Sequence, residues 1–217
     1  MKPYLTITAA LVFSIFAVCS GVSARALDFT KDEISRLAKG ELIRKPLPES
    51  RKNGFYGGAG FAIIDASPET VWKALADYNA YPKMFPRTVE TKEVSRKGTD
   101  SLIRMLIGYK ILSIEYHITI SRDWDKKTLT FTLAKNKPHD IQSTRGYWKL
   151  FPQPDGRTLV AYAVAVQVPA GVVAFLGDSV ERSLESSLIG LPRYLKKWVE
   201  GPAGSQYGPA IKPHSNN

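Results

Sequence analysis

Ile64-Asp65-Ala66-Ser67-Pro68-Glu69-Thr70-Val71-Trp72 ends a strand and begins a helix within one short stretch, and the rest of the chain can be read outward from it. Phe61 to Asp65 is a short apolar run with strand character. Ser67 can accept a hydrogen bond from a free amide of the first turn. Pro68 suits the first helical position, where its missing N–H costs nothing, and Glu69 meets the positive end of the helix dipole. Val71, Ala74, Leu75 and Tyr78 recur at helical spacing and predict one buried face. Asn79 to Pro86 adds a short second helix or turn, closed by Pro82 and Pro86.

Past Pro86 the period falls from 3.6 to 2. Six strand-like runs are predicted, near Thr88 to Arg96, Ser101 to Lys110, Ser113 to Arg122, Thr128 to Lys135, Ile141 to Phe151 and Arg157 to Val168. The links are short and rich in turn residues, as in Lys97-Gly98-Thr99-Asp100, which favours antiparallel pairing of neighbours. The strongest periodic signal comes last. Val180, Leu184, Leu188, Leu191, Leu195 and Trp198 form an apolar stripe on a helix from about Asp178 to Val199, with a bend expected at Gly190 and Pro192. The tail from Gly201 is rich in Pro, Gly, Ser and Asn and is expected to be disordered.

Upstream, Leu27 to Gly40 predicts a short amphipathic helix with Thr30 and Glu33 as a capping box. Glu41 to Gly60 reads as an extended lead-in with room for a first short strand. The first residues have a different character. Lys2 precedes a nearly uncharged apolar run from Leu5 to Val18, and Ser23-Ala24-Arg25-Ala26 offers small residues for cleavage. This is the layout of a secretory signal peptide over residues 1–26, with the mature chain exported to the periplasm or the extracellular space. The alternatives are a membrane anchor, for which the run is short, and a lipoprotein acylated at Cys19. Cys19 is the only cysteine, so a chain cleaved after Ala26 has neither a disulfide nor a thiolate for catalysis or zinc.

The formal net charge is +10, and loss of Lys2 and Arg25 with the leader would leave +8. Lysines and arginines are spread along the chain without a run of five, and no aromatic-interleaved RNA motif is present, which argues against a nucleic-acid partner. The surplus reads first as a solvated surface and second as attraction to an anionic membrane surface touched transiently.

Ile64 to Trp72 resembles the opening motif of the polyketide cyclase/dehydrase and coenzyme Q-binding branches of the SRPBCC (START-like) superfamily. Asp77-Tyr78-Asn79-Ala80-Tyr81-Pro82 with Phe85-Pro86 resembles the motif that follows it. The resemblance covers about Gly58 to Val199. It implies an α+β helix-grip fold, in which a curved antiparallel sheet of about seven strands wraps around a long C-terminal helix and encloses an apolar cavity. On this reading residues 27–57 are an N-terminal extension, 58–200 the ligand-binding domain and 201–217 the tail.

The family hosts carriers and enzymes alike, so function depends on the site. No nucleophile with an adjacent base, paired carboxylates, metal-ligand cluster or phosphate-cradling glycine loop emerges, and no cofactor is expected. The leading expectation is a carrier of a lipid, quinone or sterol-like molecule. A cyclase or aromatase acting on a polyketide-like substrate is the alternative. In the last strand Ala161, Ala163 and Ala165 alternate with Val160, Tyr162, Val164 and Val166, so one face carries side chains too small to fill the space beneath a helix. They are expected to wall the cavity opposite Val180, Leu184 and Leu188. Trp72, Tyr81, Phe85, Tyr116 and Phe131 complete the candidate lining. Arg104, on a strand between Leu102 and Leu106, is a candidate anchor for an acidic head group if that face is buried, with surface placement as its rival. His117 is expected to be exposed.

Overall fold

The computed structural model describes residues 28–46, 55–109, 112–169, 186–209 and 211. The leader expected over 1–26 and the first turns of the terminal helix, with Val180 and Leu184, lie outside the described residues.

The helix start forms as its residues dictate. Ser67 Oγ accepts from the Thr70 amide at 3.3 Å, and α2 (Pro68–Ala76) follows with Pro68 in its first turn. Val71, Ala74 and Leu75 are fully buried. A single 3₁₀ turn (Tyr78–Ala80) leads into the short α3 (Tyr81–Met84). Ahead of them, α1 (Lys31–Ala38) carries the expected capping box: the Glu33 amide donates to Thr30 Oγ1, and the Thr30 amide donates to the Glu33 carboxylate.

The sheet is antiparallel throughout and has eight strands: β1 (Ile43–Pro46), β2 (Phe55–Ile64), β3 (Thr88–Lys97), β4 (Asp100–Tyr109), β5 (Leu112–Asp123), β6 (Thr128–Leu133), β7 (Ser143–Pro152) and β8 (Thr158–Gln167). Their order is β1-β2-β8-β7-β6-β5-β4-β3. About seven strands were expected and eight are present, β1 being the first short strand for which the lead-in had room, paired with β2. A domain boundary near residue 58 likewise falls inside β2, which begins at Phe55. The glycines at its start show no alternation because close approach requires them. A Cβ on Gly57 would lie 1.9 Å from the Val164 carbonyl oxygen, and one on Gly60 would lie 2.2 Å from that of Ile189.

Hydrophobic clusters cover both faces of this sheet. The inner face presents Ile64, Ile103, Met105, Ile118, Ile120, Leu129, Trp148, Leu150, Val160, Tyr162 and Val164 to α2, α3 and the last helix. The outer face presents Ala59, Phe61, Ala161 and Ala163 to Leu37 of α1 and to Ile43. Covered on both sides, β2 and β8 read as nearly continuous small or apolar runs. Helical residues 186–189 are followed by a break at Gly190, and α4 (Leu191–Glu200) resumes with Pro192 in its first turn, where the expected bend lies. Leu195 and Val199 of α4 are buried against the inner core.

Two further expectations are corrected. The tail forms a 3₁₀ turn at Pro202–Gln206, and the Tyr207 hydroxyl donates to Asp77 Oδ2 at 2.7 Å, because a buried aromatic ring and a charge-assisted bond hold it against α2. His117 is buried, its Nδ1 lying 3.0 Å from the Pro138 carbonyl oxygen. The β6–β7 connection folds back over this part of the outer face and is also held by the Glu115 amide donating to Asp140 Oδ2.

Candidate functional site

Direct cross-strand partners in an antiparallel sheet point to the same face, so the register assigns the inner lining strand by strand. Met105 stands opposite Tyr116, Ile103 opposite Ile118 and Ile120 opposite Phe131. Leu129 stands opposite Trp148, Trp148 opposite Tyr162 and Tyr162 opposite Gly60. Aromatic rings run along this face from the helices to the middle of the sheet. Tyr81 meets Phe85 edge-on at 4.9 Å, and Phe85 stacks on Trp148 at 6.0 Å. Trp148 lies tilted on Tyr162 at 4.2 Å, and Tyr162 stacks on Phe131 at 6.2 Å. Trp72, Leu188, Leu191, Tyr194 and Trp198 pack against the same cluster from the helical side, and Trp72 is closed off by Trp124 edge-on at 5.0 Å.

The polar groups on this lining fall into two kinds. Tyr81 Oη donates to the Leu75 carbonyl at 2.7 Å, so its hydroxyl serves the fold, and burial raises its pKa well above the usual range. Tyr116 and Tyr162 differ: neither hydroxyl hydrogen-bonds to another described residue. Burial pushes the Tyr116 phenol up to about 12. Tyr162 is raised further, first by burial and then by the neighbouring Tyr116. Both therefore stay protonated at neutral pH. They can donate a hydrogen bond to a carbonyl or ether oxygen, but they cannot act as bases.

Of the candidate site residues, Trp72, Tyr81, Phe85, Tyr116, Phe131 and Leu188 are brought together on this inner surface. Val180 and Leu184 lie outside the described residues. The alanine wall is corrected. Ala161 and Ala163 stand opposite Phe61 and Ala59 on the outer face, where Phe61, Leu37 and Phe29 fill the space that their short side chains leave. Ala165 shares their alternation and stands opposite Gly57. Arg104 is corrected as well. It lies on the outer face opposite His117, paired to Glu90 at 2.8 Å and to Glu115 at 2.5 Å, because the carboxylates on the flanking strands satisfy it there. The Glu115 side chain holds the guanidinium above its ordinary range, and Arg104 in turn lowers Glu115.

Trp148 was missing from the candidate set. A signal for Trp148 was present: Arg145, Tyr147 and Lys149 alternate with Gly146, Trp148 and Leu150, and the charges mark the other face as the one turned away from the core. Among the described residues no group of His, Cys, Asp and Glu could hold a metal ion.

Several solved structures share this fold. The STAR-related lipid transfer protein from Xanthomonas axonopodis is 13% identical, with a TM-score of 0.54 over 72% of this chain and 90% of its own. A START superfamily protein from Mycobacterium smegmatis is 18% identical, with a TM-score of 0.54 over 65% and 94%. The Zhui aromatase/cyclase from Streptomyces is 15% identical, with a TM-score of 0.53 over 67% and 96%. No curated protein matches the chain in sequence. Residues 64–189, more than half of the chain, match one family of sequences, running from the end of β2 to the break before α4. With the helix-grip architecture already in place, that match makes this chain a member of the polyketide cyclase / dehydrase and lipid transport family.

Proposed function

We propose that this chain is an exported, non-catalytic binding protein that carries or shelters an apolar small molecule, of lipid, quinone or sterol-like character, between the inner sheet face and the C-terminal helix. The observation that carries this reading is the inner lining itself: aromatic and aliphatic side chains throughout, with the Tyr116 and Tyr162 hydroxyls without hydrogen-bond partners among the described residues, as Tyr78 Oη and Trp198 Nε1 also are. Such a surface rewards apolar contact at about 0.8 kcal/mol per buried methylene, and two phenols can orient one polar end of a ligand. Support for export comes from the sequence alone, in Lys2, the run from Leu5 to Val18 and the small residues up to Ala26. The positive surplus fits transient contact with an anionic membrane during loading.

A cyclase or aromatase acting on a polyketide-like substrate is the second reading, favoured by the same two phenols and by the fold shared with an aromatase/cyclase. Their raised pKa values count against it, because protonated phenols can polarise a carbonyl but cannot abstract a proton at neutral pH. Mass spectrometry of the native protein and of its organic extract tests the choice: a stoichiometric apolar ligand recovered unchanged supports the carrier, and turnover of an added poly-β-ketone analogue overturns it.

A further inference from the structure

A recess lies at the edge of the sheet. It is a cleft of about 340 Å³ bounded by the turn at Gly40 and Glu41, by Arg44 on β1 and Ala62 on β2, and by Arg193 and Lys196 on α4. Arg44 stands opposite Gly60 in the β1–β2 register, so it points to the inner side of the sheet, toward α4. A Cβ on Gly190 would lie 3.9 Å from the Arg44 guanidinium, which brings that group close to the start of α4.

Three cations and one carboxylate thus share the cleft, and the charges do not cancel. Lys196 Nζ donates to Glu200 at 2.6 Å and to the Ile63 carbonyl at 2.8 Å, so its charge is already met. Glu41 is held by Arg36 Nε at 2.8 Å. Arg193 lies over the Tyr194 ring, 4.8 Å from its centroid, and donates to the Tyr194 hydroxyl, a neutral partner. Neither Arg44 nor Arg193 has a carboxylate partner among the described residues. Both guanidinium groups line one recess, and an anion seated there meets two charged forks.

We infer that this cleft binds a phosphate monoester through Arg44 and Arg193. The choice of anion follows from charge. A monoester carries close to two negative charges at neutral pH and can accept from both forks, whereas a diester or a single carboxylate neutralises one guanidinium and leaves the other unpaired. The monoester could be a soluble metabolite or the exposed head group of a phosphatidic-acid-type lipid. The cleft itself is lined by no aromatic residue, and the inference does not depend on the proposed carrier function.

The test is titration of the full chain with glycerol 3-phosphate at constant ionic strength, followed by calorimetry and by amide shifts, alongside cosedimentation with phosphatidylcholine vesicles with and without phosphatidic acid. The expected result is saturable one-to-one binding that perturbs the amides of Gly40, Ala62 and Arg193. The double variant R44Q/R193Q should weaken it by at least about tenfold, with each single variant falling between. Dimethyl phosphate should bind more weakly than the monoester. Binding to the soluble monoester identifies a metabolite site, and binding only to phosphatidic acid vesicles, lost in the same double variant, identifies a head-group site. Absence of both, equal affinity for dimethyl phosphate, or binding that R44Q/R193Q leaves unchanged overturns the inference. Lys135→Gln, at an exposed position on the β6–β7 connection, is the control for nonspecific charge.

Discussion

Tyr162 lies tilted across Trp148 with ring centroids 4.2 Å apart, in the middle of the inner sheet face, and its hydroxyl has no hydrogen-bond partner among the described residues. The ring and the hydroxyl therefore separate experimentally. Tyr162→Phe keeps the stacking and should change unfolding free energy by less than about 1 kcal/mol, since no intramolecular bond is lost. The same change should weaken binding of a carbonyl-bearing apolar ligand such as a quinone by about tenfold. Tyr162→Ala should cost about 3–5 kcal/mol, because it opens a cavity between Trp148 and Phe131. Urea denaturation and quenching of tryptophan fluorescence by ligand measure the two effects.

Burial of Tyr116 predicts a specific alkaline weakness. Its phenol titrates near 12 in the folded chain against an ordinary value of 10.0. The folded state therefore keeps a proton that the unfolded state releases, and the contribution is complete below pH 10 and lost as the pH rises toward 12. Across that interval stability should fall by an extra ~1.4 kcal/mol per pH unit from this residue. Denaturation of Tyr116→Phe, compared with the parent chain between pH 9 and pH 12, should show that part of the slope removed.

Substitutions on the two sides of the sheet should separate cleanly. Ala163→Trp places a large ring among Phe61, Leu37 and Tyr147, and should destabilise by about 1–3 kcal/mol through overpacking while leaving ligand affinity unchanged. Leu188→Trp, which packs against the inner cluster, should reduce ligand affinity instead. Loss of binding in Ala163→Trp at unchanged stability would show that the ligand lies on the outer face.

That contrast also shows which parts of the fold the sequence carried. Ser67 and Pro68 announced α2, the alternation of Leu129, Phe131 and Leu133 announced β6, and the spacing of Leu188, Leu191, Leu195 and Trp198 announced a helix with one buried side, because each signal is local. Strand alternation states which residues share a face but not which face looks inward. Ala161, Ala163 and Ala165 were assigned to the wrong side because their partners, bulky Phe61 opposite Ala161 among them, come from a strand about a hundred positions away. The start of β2 was hidden for a related reason. Its glycines answer to Val164 and Ile189, which touch them only after folding. Tyr116 and Phe131 could be picked out as large residues on alternating strands, whereas Tyr162 and Trp148 become a pair only through the β7–β8 register.

Arg104 provides a test of the outer face. With Glu90 and Glu115 as its partners, Arg104→Ala should leave affinity for an acidic apolar ligand such as a fatty acid within about twofold of the parent. A large loss of affinity for fatty acid, with none for a neutral analogue of equal chain length, would place the carboxylate at Arg104 and contradict the register. Isothermal titration with the matched pair of ligands reads this directly.

The central claim is that the inner aromatic face holds an apolar molecule without transforming it. Native mass spectrometry of the purified chain, repeated after organic extraction and after reloading with the recovered extract, tests this most directly. The account predicts one ligand per chain, lost on extraction, regained unchanged on reloading, and regained poorly by Leu188→Trp. A chain that carries nothing and regains nothing from a membrane lipid extract, or that returns the extracted molecule chemically altered, would contradict it.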